Sequence, residues 1–281
     1  MKKLFIVALA LTTWISSCTS EKDALVKIQT RHGNIYAVLY DQTPKHKENF
    51  IELAQAGRFD STEFHRIIDN FMIQAGDVFN KEELPEEEWY TLPSEPVEDL
   101  IHEKGALGAA RQGDHINPER RSSGCQFYIV QGKVYDKKEL VTDMKRLQQT
   151  FMKYIGLESN KPLENQYKEL YEFGDFSGIN DLMLSKKAYL EEFYNLNLDK
   201  KLSPKQITTY TSVGGTPHLD EMGYTVFGKV VKGLDVVDKI AEEKTNAKDQ
   251  PIDPVYITVT VEEVSKTKIT EEYGFEYQKN E

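Results

Sequence analysis

Arg66 lies in "EFHRIIDNFMIQAGD", residues 63–77, among large apolar side chains, and Gln74 follows eight positions later. A guanidinium stays protonated and presents a rigid fork of donors, so it needs a reason to sit in an apolar hairpin. Two registers are open. A two-residue loop at Asp69 and Asn70 sets Arg66 opposite Ile73 and strands it beside an apolar side chain. A three-residue loop, Asp69-Asn70-Phe71, pairs Ile68 with Met72 and Arg66 with Gln74. Asn70 then takes the left-handed conformation, which asparagine tolerates better than most residues. Cross-strand partners share a face, so the second register builds a charged donor pair on a hydrophobic floor. Such a pair can hold hydrogen bonds in a dry place, and that register is the predicted one.

Other chemistry is poorly supported. The six histidines show no pairing at metal-ligand spacing, so neither a metal nor a cofactor is expected. Serine, histidine and acidic residues form no nucleophile arrangement that the sequence alone can place, which makes a hydrolase a poor third reading. "GGTPH" and "ARQGD" read as turns, since no strand–glycine–helix context surrounds them. Cys125 falls in the apolar strand "SGCQFYIV" and reads as a buried inert thiol.

The elements that would carry the pair alternate in period. Val26 and Ile28, then Ile35, Ala37 and Leu39, repeat every second residue on either side of a turn at 32–34, which predicts two strands. A helix follows over 44–56, with Thr43 as N-cap, Pro44 at its first position and Gly57 ending it. Residues 80–104 are acidic and proline-punctuated, hence mainly loop. "GALGAAR" (105–111) and "CQFYIVQ" (125–131) read as strands. Between 133 and 210 the period changes. Leu140, Met144, Leu147, Phe151 and Ile155 predict one amphipathic helix, residues 167–171 a second, residues 182–193 a third, and Ser203-Pro204 the start of a fourth. Strand, short helix and strand return at 224–231, 233–242 and 255–264. The aromatic side chains of the helical stretch are expected to form the core of a small subdomain.

The chain begins "MKKLFIVALALTTWISSCTSEKD", with two lysines, an apolar run too short to span a bilayer, then small residues. "ISSC" resembles a bacterial lipobox, which implies cleavage before Cys18 and lipidation of its thiol, anchoring the chain at a membrane. The expected setting is the bacterial cell envelope, periplasmic or surface-exposed. Removing residues 1–17 takes away Lys2 and Lys3 and leaves 33 basic against 46 acidic residues, a net charge of −13. That balance argues against nucleic acid as a partner. With Cys18 lipidated, Cys125 has no partner for an intrachain disulfide. A monomer is expected.

"FHRIIDNFMIQAGD" closely resembles the signature hairpin of cyclophilin-type peptidyl-prolyl cis-trans isomerases. Further blocks match in the same order: "NIYAVLYDQTPKHKENFIELAQAGRFDSTEFHR" (34–66), "GALGAAR" (105–111), "SGCQFYI" (123–129) and "LDEMGYTVFGKVVKGLDVVDKI" (219–240). The resemblance implies a mainly-β fold, a closed eight-stranded antiparallel barrel capped by two helices. It divides the chain into a leader (1–17), a lipidated linker (18–24), a barrel (25–132 and 211–264), a helical insertion (133–210) and a charged tail (265–281), which is expected to be partly disordered.

The resemblance makes Arg66 the catalytic residue. It places His65, Phe71, Met72, Gln74, Ala110, Arg111, Gln126, Tyr128, His218, Leu219 and Tyr224 in the substrate groove. Several depart from the family's usual residues. Arg111 stands for asparagine, Tyr128 for phenylalanine, His218 for tryptophan and Tyr224 for histidine. The groove should therefore be more polar than usual, and the missing tryptophan argues against strong cyclosporin binding. "ERR" (119–121) beside Arg111 is either a solvated loop or added positive charge at the groove rim. The expected activity is isomerisation of Xaa-Pro bonds in exported proteins. The alternative is a non-catalytic peptide-binding or holdase chaperone that uses the groove and the insertion.

Overall fold

The computed structural model describes residues 21–277. The expected leader and Cys18 lie outside the described residues. The first hairpin joins β1 (Lys22–Thr30) to β2 (Gly33–Leu39), and the predicted alternation holds, with Val26, Ile28, Ile35 and Ala37 all fully buried. Strand β1 begins inside the segment read as a linker, because Lys22 already pairs with Ser265. Helix α1 (Pro44–Gln55) follows, then the hairpin of β3 (Arg66–Ile68) and β4 (Met72–Ala75). A short α2 (Val78–Lys81) and the two-residue strand β5 (Thr91–Leu92) interrupt the acidic loop. Next come β6 (Ala106–Ala109), β7 (Ser122–Ser123) and β8 (Phe127–Val130).

Helix α1 is not capped as expected. Thr43 makes no side-chain cap, and its hydroxyl donates instead to the Tyr40 carbonyl. The Glu95 carboxylate, from the loop, accepts from the backbone N–H groups of Lys45 (3.3 Å) and His46 (3.1 Å), and from His46 Nδ1 (2.6 Å). A carboxylate there answers both the unpaired N–H groups and the positive end of the helix dipole. His46 Nε2 then meets Ser122 Oγ at 2.9 Å. This serine–histidine–glutamate string escaped the sequence reading because its members lie 49 and 76 positions apart. Ser122 is 1% exposed, so the string ties loop and strand to α1 and offers no accessible nucleophile.

Burial lowers the pKa of His46 even though Glu95 pulls it upward. The folded state then binds fewer protons than the unfolded state, so this contribution to stability is complete above about pH 6.5 and lost as pH falls through the lower folded value. Unfolding free energy from urea titrations should fall between pH 7.5 and 5.5, and fall less in His46→Gln. His65 and His218 are lowered by burial too, so a residual drop should remain. An identical pH dependence in variant and parent would contradict the assignment.

The stretch read as a helical insertion, 133–210, holds α3 (Lys137–Leu140), α4 (Met144–Ile155), α5 (Lys161–Glu172) and α6 (Phe176–Tyr194), and α7 (Pro204–Ser212) runs two residues past its end. The expected single helix from Leu140 to Ile155 is two. Asp136 caps α3 and Asp143 caps α4 afresh, each accepting backbone N–H bonds. Leu140 leaves the α4 seam and packs with Ile101 and Tyr210, whereas Leu147, Phe151 and Ile155 join Ile179, Met183 and Leu190 in a core of the insertion's own. Helix α7 carries a full capping box of Ser203 and Gln206.

After the insertion come α8 (Pro217–Glu221), β9 (Val226–Lys232), α9 (Leu234–Ala241), β10 (Thr258–Ser265) and α10 (Lys266–Tyr273). The tail expected to be partly disordered is therefore helical as far as Tyr273. Ile269 of α10 is fully buried and packs with Leu25 and Val38.

Eight strands form one antiparallel sheet in the order β10-β1-β2-β9-β6-β8-β4-β3. The expected closed barrel is corrected here. Strands β3 and β10 share no ladder, and no sheet among the described residues is closed. The two edges are tied by irregular backbone bonds, Phe64 N–H to Val255 O (3.0 Å) and Ile257 N–H to Thr62 O (2.8 Å). One face of the sheet, including Ile67, Ile73, Leu107 and Ile129, builds the main core with Phe50 and Leu53 of α1 and Val237 and Ile240 of α9.

Candidate active site

The opposite face carries the site. The hairpin adopts the predicted register: Arg66 pairs with Gln74, and Ile68 with Met72. Asn70 sits at φ 59°, in the left-handed region that the three-residue loop requires. The row continues across the sheet, with Gln74 beside Tyr128 and Tyr128 beside Gly108. Strand alternation therefore sets Arg66, Gln74 and Tyr128 on one face, away from the main core. Gly108 makes room for the tyrosine. A Cβ there would lie 2.2 Å from Tyr128 Cζ, so the ring can lie over the strand only because that side chain is missing.

Met72, Ala110, Tyr128, Leu219 and Val226 make a second apolar cluster, flanked by Phe71 and Tyr224. It floors a groove of about 520 Å³. All the sequence-predicted residues line this groove except His65 and His218. His65 is half-buried with its Nδ1 unpartnered, and His218 lies with its ring 5.2 Å from that of Phe71. Among the described residues, none from 133–210 lines the groove, so the insertion leaves it uncovered.

Gln74 is oriented by a chain of amides. Its Nε2 donates to Gln126 Oε1 (2.9 Å), and Gln126 Nε2 donates to Asp77 Oδ1 (3.0 Å). The Oε1 of Gln74 is thereby turned free to accept a bond from a substrate amide or from Arg66. The Arg66 side chain is 44% exposed, and its Nε lies 3.7 Å from Asp249 Oδ2. That contact is long and wet, so it orients the arginine weakly and leaves its donors available. Asp249 was not legible in the sequence. It lies 183 positions from Arg66, in the charged stretch "NAKDQ", with no pattern to mark it.

Arg111 is a strut rather than a free cation. Its guanidinium stacks over Tyr224, 4.1 Å from the ring centre, and binds Asp114 (2.6 Å) and the Met222 carbonyl (2.9 Å). Arg120 shares Asp114, and Arg121 donates to Thr91. The Arg111 and Arg120 bonds hold the Asp114 carboxyl below its usual range, and three guanidiniums against one carboxylate leave the rim positive. Beyond them the groove runs on to Phe79 of α2 and to Trp89 and Tyr90 from the segment read as loop. Both Trp89 and Tyr90 pack on Phe79, at 5.8 and 5.2 Å between ring centres.

Comparison with known proteins bears on what such a groove serves. The model of the family described as cyclophilin type peptidyl-prolyl cis-trans isomerase/CLD matches residues 25–157 and 199–262. A Streptococcus pyogenes protein named as a bifunctional phosphatase/peptidyl-prolyl cis-trans isomerase is 31% identical over 237 residues, which cover 83% of this chain and 37% of that protein. A Staphylococcus saprophyticus protein named as a peptidyl-prolyl cis-trans isomerase is 27% identical over 236 residues, covering 82% of this chain and 87% of the relative. Among solved structures, a cyclophilin type isomerase of Cryptosporidium parvum aligns over 86% of this chain and 98% of its own, with a TM-score of 0.48 and 17% identity. The family match runs into the helical stretch from both sides, to residue 157 and from 199, and covers most of the chain: the protein belongs to the cyclophilin-type peptidyl-prolyl cis-trans isomerase family.

Proposed function

We propose that the chain isomerises Xaa-Pro bonds of exported polypeptides, with Arg66 stabilising the twisted imide. The observation that carries this reading is the row Arg66–Gln74–Tyr128 set at an apolar groove. Rotating a peptide bond crosses a barrier of roughly 18–20 kcal/mol that amide resonance imposes. No bond breaks and no proton leaves. As conjugation is lost, the imide nitrogen regains a lone pair and becomes an acceptor. Met72, Tyr128 and Leu219 supply an apolar seat for the proline ring, Gln74 an acceptor for the neighbouring backbone, and Arg66 a charged donor to the nitrogen. The Arg66 bond forms only in the twisted state, so it lowers the barrier without tightening the ground state. An acceleration of about 10⁴–10⁵ needs about 5–7 kcal/mol of such selective stabilisation. A charge-assisted bond that bound peptide shields from water, with binding that favours the twisted form, reaches that scale.

The protein should accelerate a proline-limited refolding phase of a denatured test protein, one that otherwise takes tens of seconds or longer. An unchanged slow phase at substoichiometric to equimolar protein would count against the reading. The exported setting rests on residues 1–18. Cys18→Ser is expected to move the protein from the membrane pellet to the soluble fraction and abolish labelling by a fatty-acid analogue. Equal labelling of variant and parent would remove the anchor.

A second reading has its own observation. Tyr171 (61%), Phe173 (88%) and Phe176 (65%) are exposed where α5 turns into α6, and such a surface suits holding unfolded chains. It competes with isomerisation only if the groove proves inert.

A further inference from the structure

The floor of the groove is wired to the insertion. Tyr128 is 4% exposed, so its hydroxyl needs a buried partner, and it lies 2.8 Å from His102 Nε2. His102 is itself fully buried, and its Nδ1 lies 2.6 Å from Asp220 Oδ1. A carboxylate can only accept, so His102 carries its proton on Nδ1, and its Nε2 accepts the hydroxyl proton of Tyr128. The same carboxylate oxygen accepts the His102 backbone N–H (2.9 Å). The other oxygen, Oδ2, faces the insertion. It accepts hydrogen bonds from the Tyr210 hydroxyl and from Gln206 Nε2 (3.3 Å), both from α7. Gln206 is fixed in turn, because its Oε1 accepts the Ser203 backbone N–H (2.9 Å) in the capping box. Burial opposes the Asp220 charge, but the bonds from His102 and Tyr210 more than offset it, and the carboxyl titrates below its usual range.

We propose that α7 is a positioning element of the proline pocket: Tyr210 and Gln206 fix Asp220, Asp220 fixes the His102 tautomer, and His102 fixes Tyr128 over Gly108. The inference rests on the isomerase reading of the groove. It gives the insertion a part in the site without its touching substrate. It also explains why a hydroxyl can stand in an apolar floor. Tyr128 is no nucleophile in this string, since burial raises its pKa well above the ordinary phenol range.

The test is a double-mutant cycle on the full mature chain between Tyr210→Phe and Tyr128→Phe, whose rings keep their packing. Alone, Tyr210→Phe should raise KM for an Xaa-Pro peptide about 3–10-fold with kcat nearly unchanged, and in the Tyr128→Phe background it should change KM less than about twofold. Gln206→Met attacks the same carboxylate and serves if Tyr210→Phe does not fold. Side-chain ¹⁵N spectra of His102 read the relay without any activity: protonated Nδ1 and bare Nε2 are expected in the parent. Equal losses in both backgrounds would make Tyr210 merely structural, and a proton on Nε2 would overturn the relay. A parent that binds the peptide without accelerating exchange would instead sink the isomerase reading. The cycle would then be read on peptide affinity, with the same two criteria.

Discussion

Replacing Arg66 by alanine is expected to lower kcat/KM for an Xaa-Pro peptide about 10²–10³-fold, the scale of one charged donor removed from a developing charge. The loss should fall on kcat. The apolar seat of Met72, Tyr128 and Leu219 and the amide chain from Gln74 to Asp77 do not depend on the guanidinium. Ground-state affinity should therefore change little, and a kcat effect without a matching KM effect marks a bond made only in the transition state. Stability should also hold within about 0.5 kcal/mol, because Arg66 is 44% exposed and its ion pair with Asp249 is a long surface contact. Arg66→Lys keeps the charge but not the fork, and should recover only part of the rate. Denaturation midpoints alongside the kinetics check the claim. A large loss of stability in Arg66→Ala would move the residue from catalysis to structure.

Gly215→Ala should be strongly destabilising for the addition of one methyl. At φ +150° a Cβ on residue 215 would lie 2.2 Å from the His102 carbonyl oxygen and 2.8 Å from Glu103 Cα, backbone that cannot swing aside. The facing glycine is as tight, since a Cβ on Gly132 would lie 2.4 Å from Gly215 Cα. Here the two ends of the insertion are sewn to the sheet domain. Gly215 N–H donates to Lys133 O (3.0 Å), Thr216 N–H to His102 O (2.8 Å) and Lys104 N–H to Gly214 O (3.0 Å). Separating these strands breaks several backbone bonds at once and shifts His102, the residue beneath Tyr128. The expected cost is about 3 kcal/mol or more, which for a chain of this size lowers Tm by about 6–12 °C in a thermal melt. A shift under about 2 °C would show that the junction yields more easily than its packing implies.

How far these features were readable in advance depends on the range of the interaction. The hairpin register was legible because its two determinants are local: a period of two with Arg66 and Gln74 in phase, and an asparagine able to take positive φ. The cap of α7 was legible for the same reason, Ser203 and Pro204 being adjacent. Local signals also misled. The apolar spacing from Leu140 to Ile155 reads as one helix, yet Asp143 starts a new one and sends Leu140 to a different core. Thr43 stands where a cap belongs, but the stronger acceptor, Glu95, comes from a loop 52 residues away. The charge of the 265–281 tail suggested partial disorder, while Ile269 and Tyr273 pack α10 against Leu25 and Val38. The bracing of Arg111 was not legible because nothing in sequence pairs it with Met222, 111 positions on. The His102–Asp220–Tyr210 relay was invisible, for its members are spread over a strand approach, a short helix and the insertion.

The central claim is that the groove twists proline bonds, and exchange NMR on a short Xaa-Pro peptide tests it most directly. Cross-peaks between cis and trans resonances should appear within a fraction of a second at substoichiometric protein, far faster than the uncatalysed interconversion of tens of seconds. They should vanish with Arg66→Ala while the peptide's resonances still shift on binding. Binding by the parent protein without any exchange would contradict the account and leave a peptide-holding groove in its place.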